Sequence, residues 1–301
     1  MKSVKIVFSF LLLTLLWLVL IPSAKSQMLD TANLVRIKRT QSDEQFPAWS
    51  EDGKKLVFQS SGKGYSQLFL YDFSKDTLIQ ITFDETNKSH PVFIPNQNKI
   101  AFDATIDNKV YLFKLNLSTG LQQPLFQRKL FCEAPSFSPS GRLVIFKGHD
   151  PNNETWQLFS YDFVYDNLNQ LTHIKNAELF RPMLSPDGKI ILFGTRNKTV
   201  PFSRSLHEIN WYGEKTEDLD SIAALSYGWL ANSYRIVYST KEQKNNPSFF
   251  TITKEGTYKM LLSHDTLQRV TPALSPDGKK IAVAVKFGNN FDIVVYNLID
   301  E

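Results

Sequence analysis

The sequence predicts an all-β fold, a six-bladed β-propeller of four-stranded blades, and three observations support it. A nine-residue pattern, seen most clearly as Ser185-Pro186-Asp187-Gly188-Lys189 followed by Ile190 to Phe193, recurs six times, starting at residues 50, 94, 138, 185, 230 and 275. The copies are 44 to 47 residues apart, a period typical of propeller arrays. Beyond residue 26 no stretch has a convincing helical period, and each repeat contains four short apolar or alternating runs.

The first repeat shows the strand plan most clearly. Its strands are predicted at 46–50, 56–60, 67–72 and 78–82, with Asp52-Gly53 between the first two. Asp-Gly supplies the positive φ that a tight hairpin turn needs. The other repeats follow the same plan, with the fourth strand of the fourth repeat predicted at 216–219. The repeats begin near residues 46, 90, 134, 181, 226 and 271, and together they form one domain over 27–301.

The two ends of the chain predict how the ring closes. The last repeat ends at Glu301 after its third strand, whereas residues 34–40 alternate apolar and basic residues ahead of the first repeat. We predict that this N-terminal strand completes the last blade, because closure removes the open sheet edges that would otherwise template aggregation.

The N-terminus has the pattern of a signal peptide. Lys2 and Lys5 precede a mostly apolar run of 16 residues from Ile6 to Ile21, and Ala24-Lys25-Ser26 follows with small residues. We predict cleavage after Ser26, export to the periplasm or beyond the cell, and no transmembrane segment in the mature chain. The alternative is a retained anchor helix, but the run is shorter than the roughly 20 residues that cross a bilayer.

Composition narrows the classes of partner. The chain has 42% apolar residues and a net charge of +4, and without residues 1–26 it carries 31 basic against 30 acidic residues. A nearly neutral chain without a basic stripe argues against nucleic-acid binding. Cys132 is the single cysteine, so no internal disulfide forms, and we predict a buried, unreactive thiol.

The repeat also resembles a known family. The string aromatic-Ser-Pro-Asp-Gly-Lys-x-apolar-apolar-Phe, preceded by x-Pro, is similar to the repeats of the WD-repeat-like propeller family typified by TolB, over residues 34–301. The resemblance implies a protein-binding propeller of the bacterial envelope. Similar repeats occur in the propellers of prolyl-oligopeptidase-type peptidases and of sugar lyases. Residues 27–45 are too few for the α/β domain that precedes the propeller in TolB.

Candidate binding residues lie where the repeats disagree. The residue before the first-strand proline position is in turn Phe46, His90, Ala134, Arg181, Ser226 and Thr271, and the residue before that is Gln45, Ser89, Glu133, Phe180, Leu225 and Val270. We expect these positions to ring the mouth of the central channel. Charged and aromatic groups at a rigid mouth suit recognition, so the predicted partner-binding residues are Phe46, His90, Glu133, Phe180 and Arg181. The alternative is an ordinary solvated rim.

Motifs for chemistry are scarce. The sequence has no Gly-x-Ser-x-Gly elbow, no His-x-His or His-x-x-x-His pair and no phosphate loop. We therefore assign no catalytic residue, metal or cofactor and predict a non-enzymatic, monomeric module that binds a protein or peptide partner in the cell envelope. One alternative is a small-molecule lyase or hydrolase with a metal or acid–base pair in the channel, where Glu133 and His90 are the best candidates. Another is a scaffold within a larger envelope complex.

Overall fold

The computed structural model of the chain describes residues 27–300, except 38–41, 63, 153–154, 201–202, 218, 220–221, 244–245 and 264–266. The predicted signal peptide lies outside the described residues. The described chain consists of strands, turns and bends without a helix. Accordingly, no helix long and apolar enough to cross a membrane is found in this part of the chain.

Within the described residues, twenty-four strands form six sheets arranged as the blades of a propeller. Blade 1 contains β2 (Asp43–Trp49), β3 (Lys55–Ser61), β4 (Gln67–Asp72) and β5 (Thr77–Gln80). Blade 2 contains β6 (Asn87–Phe93), β7 (Lys99–Ile106), β8 (Lys109–Asn116) and β9 (Gln122–Pro124). Blade 3 contains β10 (Phe131–Phe137), β11 (Leu143–His149), β12 (Gln157–Asp162) and β13 (Asn167–Gln170).

The remaining blades complete the ring. Blade 4 contains β14 (Ala177–Leu179), β15 (Met183–Leu184), β16 (Ile191–Asn197) and β17 (Arg204–Ile209). Blade 5 contains β18 (Ser226–Trp229), β19 (Arg235–Gln243), β20 (Asn246–Thr253) and β21 (Met260–Leu261). Blade 6 contains β22 (Arg269–Leu274), β23 (Lys280–Phe287) and β24 (Asn290–Asp300), with β1 (Gln27–Ile37) as its outer strand. The predicted six-bladed fold is confirmed.

The N-terminal strand closes the ring. β1 pairs antiparallel with β24, from Gln27 opposite Asp300 to Ile37 opposite Ile293, with a shift of register between Asp30 and Leu34. The predicted closure is therefore confirmed, although the strand begins seven residues before the expected start at Leu34. Leu29 explains the extension, because its buried side chain belongs to the apolar core of blades 5 and 6.

Blade 4 departs from the predicted strand plan. Its inner strand is divided into β14 and β15, which both pair with β16. A fourth strand was expected at 216–219, but the described residues of this stretch form no strand, and Ile209–Lys215 is an isolated bridge beside it. The charged residues Glu217 and Asp218 offer little apolar surface to hold a strand there.

Apolar packing joins each blade to its neighbour. Leu56 and Phe58 of blade 1 lie in one buried cluster with Ala282 and Val295 of blade 6. The inner strands also contact each other directly, since Trp49 Nε1 donates to the Ala273 carbonyl of blade 6 at 3.0 Å. Packing and closure rather than covalent links therefore hold this ring together.

The recurrent Ser-x-Asp-Gly turns also join blades. Within one turn, Ser185 Oγ donates to Asp187 Oδ1 at 2.6 Å and accepts from the Ile190 amide at 2.9 Å, while Gly188 has a φ of +72°. Between turns, the Asp187 amide donates to Ser233 Oγ of blade 5 at 2.8 Å. The pattern that marks the repeats is thus scaffold at one end of the channel.

Candidate functional site

Each proline of the inner strands breaks the ladder at the opposite end of the channel. Proline has no N–H to donate, and the register shifts beside it in blades 1, 2, 3 and 6. The residue before it adopts a left-handed conformation, with φ between 47° and 55° at Phe46, His90, Ala134 and Thr271. Such bulges re-aim a side chain and are frequent beside functional sites.

Part of this ring serves the contact between blades. The Phe46 amide donates to Thr271 Oγ1 at 3.2 Å, and the Thr271 amide donates to Ser226 Oγ at 2.6 Å. The Ala134 amide likewise donates to Asp103 Oδ1 at 2.9 Å. Thr271 and Ser226 therefore each bond the amide of the next blade, and they have a structural role.

The five predicted partner-binding residues line one cavity, which we call the upper mouth. Its volume is about 470 Å³. Phe46, His90, Glu133, Phe180 and Arg181 come from blades 1 to 4, and all five are among its lining residues. The structure thus brings the predicted residues together, as their shared position in the repeat requires.

Most charges of the upper mouth are balanced by a neighbour. Lys147 Nζ donates to Glu133 Oε1 at 2.7 Å, and Arg196 pairs with Glu178. His90 Nδ1 lies 2.8 Å from Asp103 Oδ1.

Arg181 is the exception. Its Nη2 lies 3.3 Å from the Met183 sulfur, a weak acceptor, and its guanidinium carbon lies 5.7 Å from the ring centre of Phe46. No carboxylate among the described residues pairs with it within 4.0 Å. Burial lowers the pKa of Arg181, because the desolvated guanidinium lacks a counter-charge.

The contact between Phe46 and Arg181 crosses the channel. Phe46 belongs to blade 1 and Arg181 to blade 4, which lie opposite each other in a ring of six. The Phe46 ring also lies 4.1 Å from the His90 ring, between ring centres. Phe46 therefore lines the upper mouth and lies beside both His90 and Arg181.

Tyr227 fixes the backbone of Arg181. This tyrosine replaces the inner-strand proline in blade 5, and its hydroxyl donates to the Arg181 carbonyl and accepts from the Gly194 amide, both at 2.7 Å. Burial raises the pKa of Tyr227, so the hydroxyl stays protonated as a donor.

Some residues of the site escaped the sequence analysis. Asp103, Lys147 and Tyr227 hold His90, Glu133 and Arg181 in place. A signal for two of them was present, because Asp103 and Lys147 each end an otherwise apolar second-strand run. Tyr227 was detectable as the one residue that departs from proline in its column.

A second cavity, the lower mouth, lies at the hairpin end of the inner strands and has a volume of about 690 Å³. It is lined by the large apolar inner-strand residues Trp49, Phe93, Phe137 and Leu184 together with the repeated turns. Since the same residue types recur around it, the lower mouth reflects the scaffold. We therefore favour the smaller upper mouth, where the residues differ from blade to blade.

Metal and thiol chemistry find little support in the described part of the chain. It contains no group of three or more His, Cys, Asp and Glu side chains placed to hold a metal ion. Cys132 is 2% exposed, and burial raises the pKa of its thiol to about 12. The thiol is therefore protonated and poorly nucleophilic at neutral pH.

Comparison with known proteins agrees with the fold. Residues 26–162 match the family described as the TolB beta propeller domain. The putative TolB of Agrobacterium tumefaciens is 17% identical with a TM-score of 0.65, and the alignment covers 87% of this chain and 96% of that protein. TolB of Acinetobacter baumannii is 15% identical with a TM-score of 0.60 over 85% of this chain, which spans 64% of the length of that protein.

An enzyme has a similar structure. The oligogalacturonate lyase of Vibrio parahaemolyticus is 12% identical with a TM-score of 0.61, and the alignment covers 90% of this chain and 96% of the lyase. At these identities the likeness of the solved structures establishes a shared fold.

Proposed function

We propose that this six-bladed β-propeller, whose fold is similar to that of TolB, is a binding module that captures a protein or peptide partner at the upper mouth. The observation that supports this proposal is the convergence of Phe46, His90, Glu133, Phe180 and Arg181 on one cavity. Rigid strands hold these groups, and recognition sites are commonly concave, mostly apolar and furnished with a few fixed polar groups. Export through the predicted signal peptide would place the module in the bacterial periplasm or outside the cell.

The proposal is tested by partner capture from envelope extracts. His90, Glu133 and Arg181 are replaced together by alanine in the mature chain, which is then immobilised. The matched control replaces His173, Glu214 and Lys189, which are exposed and outside the upper mouth. We expect the first variant to lose at least about tenfold in captured partner, or about 1.4 kcal/mol, and the control to lose none.

The melting temperature of both variants is measured alongside capture. Equal capture by the two folded variants would show that the partner does not bind through the upper mouth. Crosslinking the captured partner to a residue of the cavity would then separate binding at the lower mouth from binding on the outer surface.

One observation favours a second function, a small-molecule lyase or hydrolase. His90 Nδ1 is held by the buried carboxylate of Asp103, an arrangement that orients an imidazole as a general base. Glu133, the other sequence candidate, is occupied by Lys147. For this function, His90 would take the proton and Arg181 would hold an anionic substrate.

The two functions are separated by metal content and by an elimination assay. Purified protein is analysed for bound metal, and incubation with oligogalacturonate is followed by the ultraviolet absorbance of an unsaturated product. Stoichiometric metal, or product formation that His90→Ala abolishes, would favour the enzyme. Capture of a protein partner with neither result would favour the binding module.

A further inference from the structure

We propose that the upper mouth recognises a carboxylate in its partner, with Arg181 as the cation, and that this carboxylate belongs to an acidic residue of an extended peptide segment. The inference rests on the proposed binding function and specifies its ligand.

The ion pairs of the upper mouth leave Arg181 without a carboxylate beside it. Glu133 pairs with Lys147, Glu178 pairs with Arg196, and Asp103 accepts from His90 and from a backbone amide. Among the described residues that line the cavity, Arg181 is then the cation without a carboxylate. An incoming anion would pair with Arg181 in a partly buried place, where charge pairs are weakly screened.

The donors of Arg181 favour a carboxylate. A guanidinium carries five N–H donors in a planar fork that matches the two oxygens of a carboxylate. One N–H donor of Arg181 points to the Met183 sulfur, which is a weak acceptor, and the Phe46 ring presents only its face to the guanidinium. Donors therefore remain for a ligand, while the hydrogen bond from Tyr227 to the Arg181 carbonyl holds the backbone in place.

Aromatic rings flank this position. Phe46 lies beside Arg181, and Phe180 precedes it with the Arg204 guanidinium 4.7 Å from the ring centre. Both phenylalanines line the cavity. A volume of about 470 Å³ is at the small end of ligand sites. A cavity of this size suits a few side chains of a loop or tail, in which an apolar residue lies next to the acidic residue.

The other polar groups favour a peptide over a sugar acid. The Tyr227 hydroxyl is engaged by the Arg181 carbonyl and the Gly194 amide, while Ser226 and Thr271 accept from the amides of the neighbouring blades. A sugar needs many partners for its hydroxyl groups, whereas an acidic residue between apolar residues needs one cation and an apolar wall. The upper mouth offers one cation and an apolar wall.

The test uses two tripeptides that differ in one group. N-acetyl-Phe-Glu-Phe-amide and N-acetyl-Phe-Gln-Phe-amide are titrated into the mature chain, together with galacturonate as the sugar acid. The protein variants are Arg181→Gln, Arg181→Lys and the control Lys189→Gln, which changes an exposed cation of the same blade outside the cavity. Melting temperatures verify folding.

We expect the Glu peptide to bind wild type at least tenfold more tightly than the Gln peptide. Arg181→Gln should abolish that difference, Arg181→Lys should retain part of it, because lysine keeps the charge without the planar fork, and Lys189→Gln should leave it intact. Equal binding of the two peptides, or no detectable binding of the Glu peptide, would overturn the inference.

The controls separate this inference from the proposed function. If the triple alanine variant loses its protein partner but Arg181→Gln alone retains it fully, the mouth binds a partner without recognising a carboxylate. If galacturonate binds more tightly than the Glu peptide and depends on Arg181, the peptide ligand is wrong and the lyase is favoured.

Discussion

Glu208 is a fully buried carboxyl group on β17 of blade 4, with 0% of its surface exposed. Burial raises its pKa from 4.5 to about 7, although Thr216 Oγ1 donates to its Oε2 at 3.3 Å. The folded state therefore holds a proton that the unfolded state releases near pH 4.5. Its contribution to stability is most favourable below pH 4.5 and is lost as the pH rises towards 7.

The substitution Glu208→Gln removes this pH dependence. We expect it to leave the free energy of unfolding little changed at pH 4.5 and to raise it by about 3 kcal/mol at pH 8, because an amide carries no charge to desolvate. Urea unfolding at the two pH values measures the difference. Glu214→Gln, at an exposed position of the following turn, is the control. An equal effect of Glu208→Gln at both pH values would contradict the prediction.

The sequence predicts individual residues of the site better than their partners. Phe46, His90, Glu133, Phe180 and Arg181 follow from the repeat period, because equivalent positions of a propeller face the same channel mouth. The contact of Phe46 with Arg181 could not be predicted, since it depends on the diameter of the ring and on the left-handed bulge at Phe46.

At the scale of elements, the hairpins between first and second strands form contacts around the lower mouth. Gly141 of blade 3 has a φ of +71°, and a Cβ at this position would lie 2.9 Å from the Pro95 carbonyl oxygen of blade 2. Gly120, which precedes β9 of blade 2, has nearly the same φ of +72° but no heavy atom within 4 Å of a Cβ. A comparison of the two glycines therefore distinguishes the cost of backbone strain from the cost of disturbing the contact between blades.

The paired substitutions Gly141→Ala and Gly120→Ala measure that contact. We expect Gly120→Ala to cost about 1 kcal/mol from the left-handed conformation alone. Gly141→Ala should cost about 1 to 2 kcal/mol more, because the Pro95 backbone must move. Equal shifts of the melting temperature would show that the hairpins do not pack tightly against each other.

The elements themselves follow from the sequence wherever apolar alternation is strong. Second strands such as β3 and β11 bury three successive residues, and their positions agree with the prediction. The prediction of an outer strand at 216–219 was wrong. An outer strand pairs with only one neighbouring strand, and its sequence shows weak apolar alternation. The division of the blade 4 inner strand also had no clear signal, since Pro182 occurs in a column where other blades keep one strand.

At the scale of the whole molecule, closure depends on one strand from the far end of the chain. Ile37 is 4% exposed and packs in the core shared by blades 1 and 6, whereas Val35 of the same strand is 40% exposed. Arg36 forms a salt bridge with Asp292 and lies 3.7 Å from the ring centre of Phe287, measured from its guanidinium carbon. β1 thus contributes apolar burial, charge pairing and eight aligned residue pairs to β24.

We expect removal of residues 27–42 to abolish cooperative unfolding. Without β1, β24 would become an open edge, and the core of blade 6 would lose Leu29 and Ile37. Calorimetry of the shortened and mature chains measures this. In the full mature chain, Ile37→Ala should cost about 2 to 4 kcal/mol and Val35→Ala less than about 1 kcal/mol. A shortened chain that melts as a single transition at the temperature of the mature protein would show that the remaining blades close without β1. In that case, the losses of stability measured for Ile37→Ala and Val35→Ala would show which contacts of β1 with the neighbouring blades are stabilising.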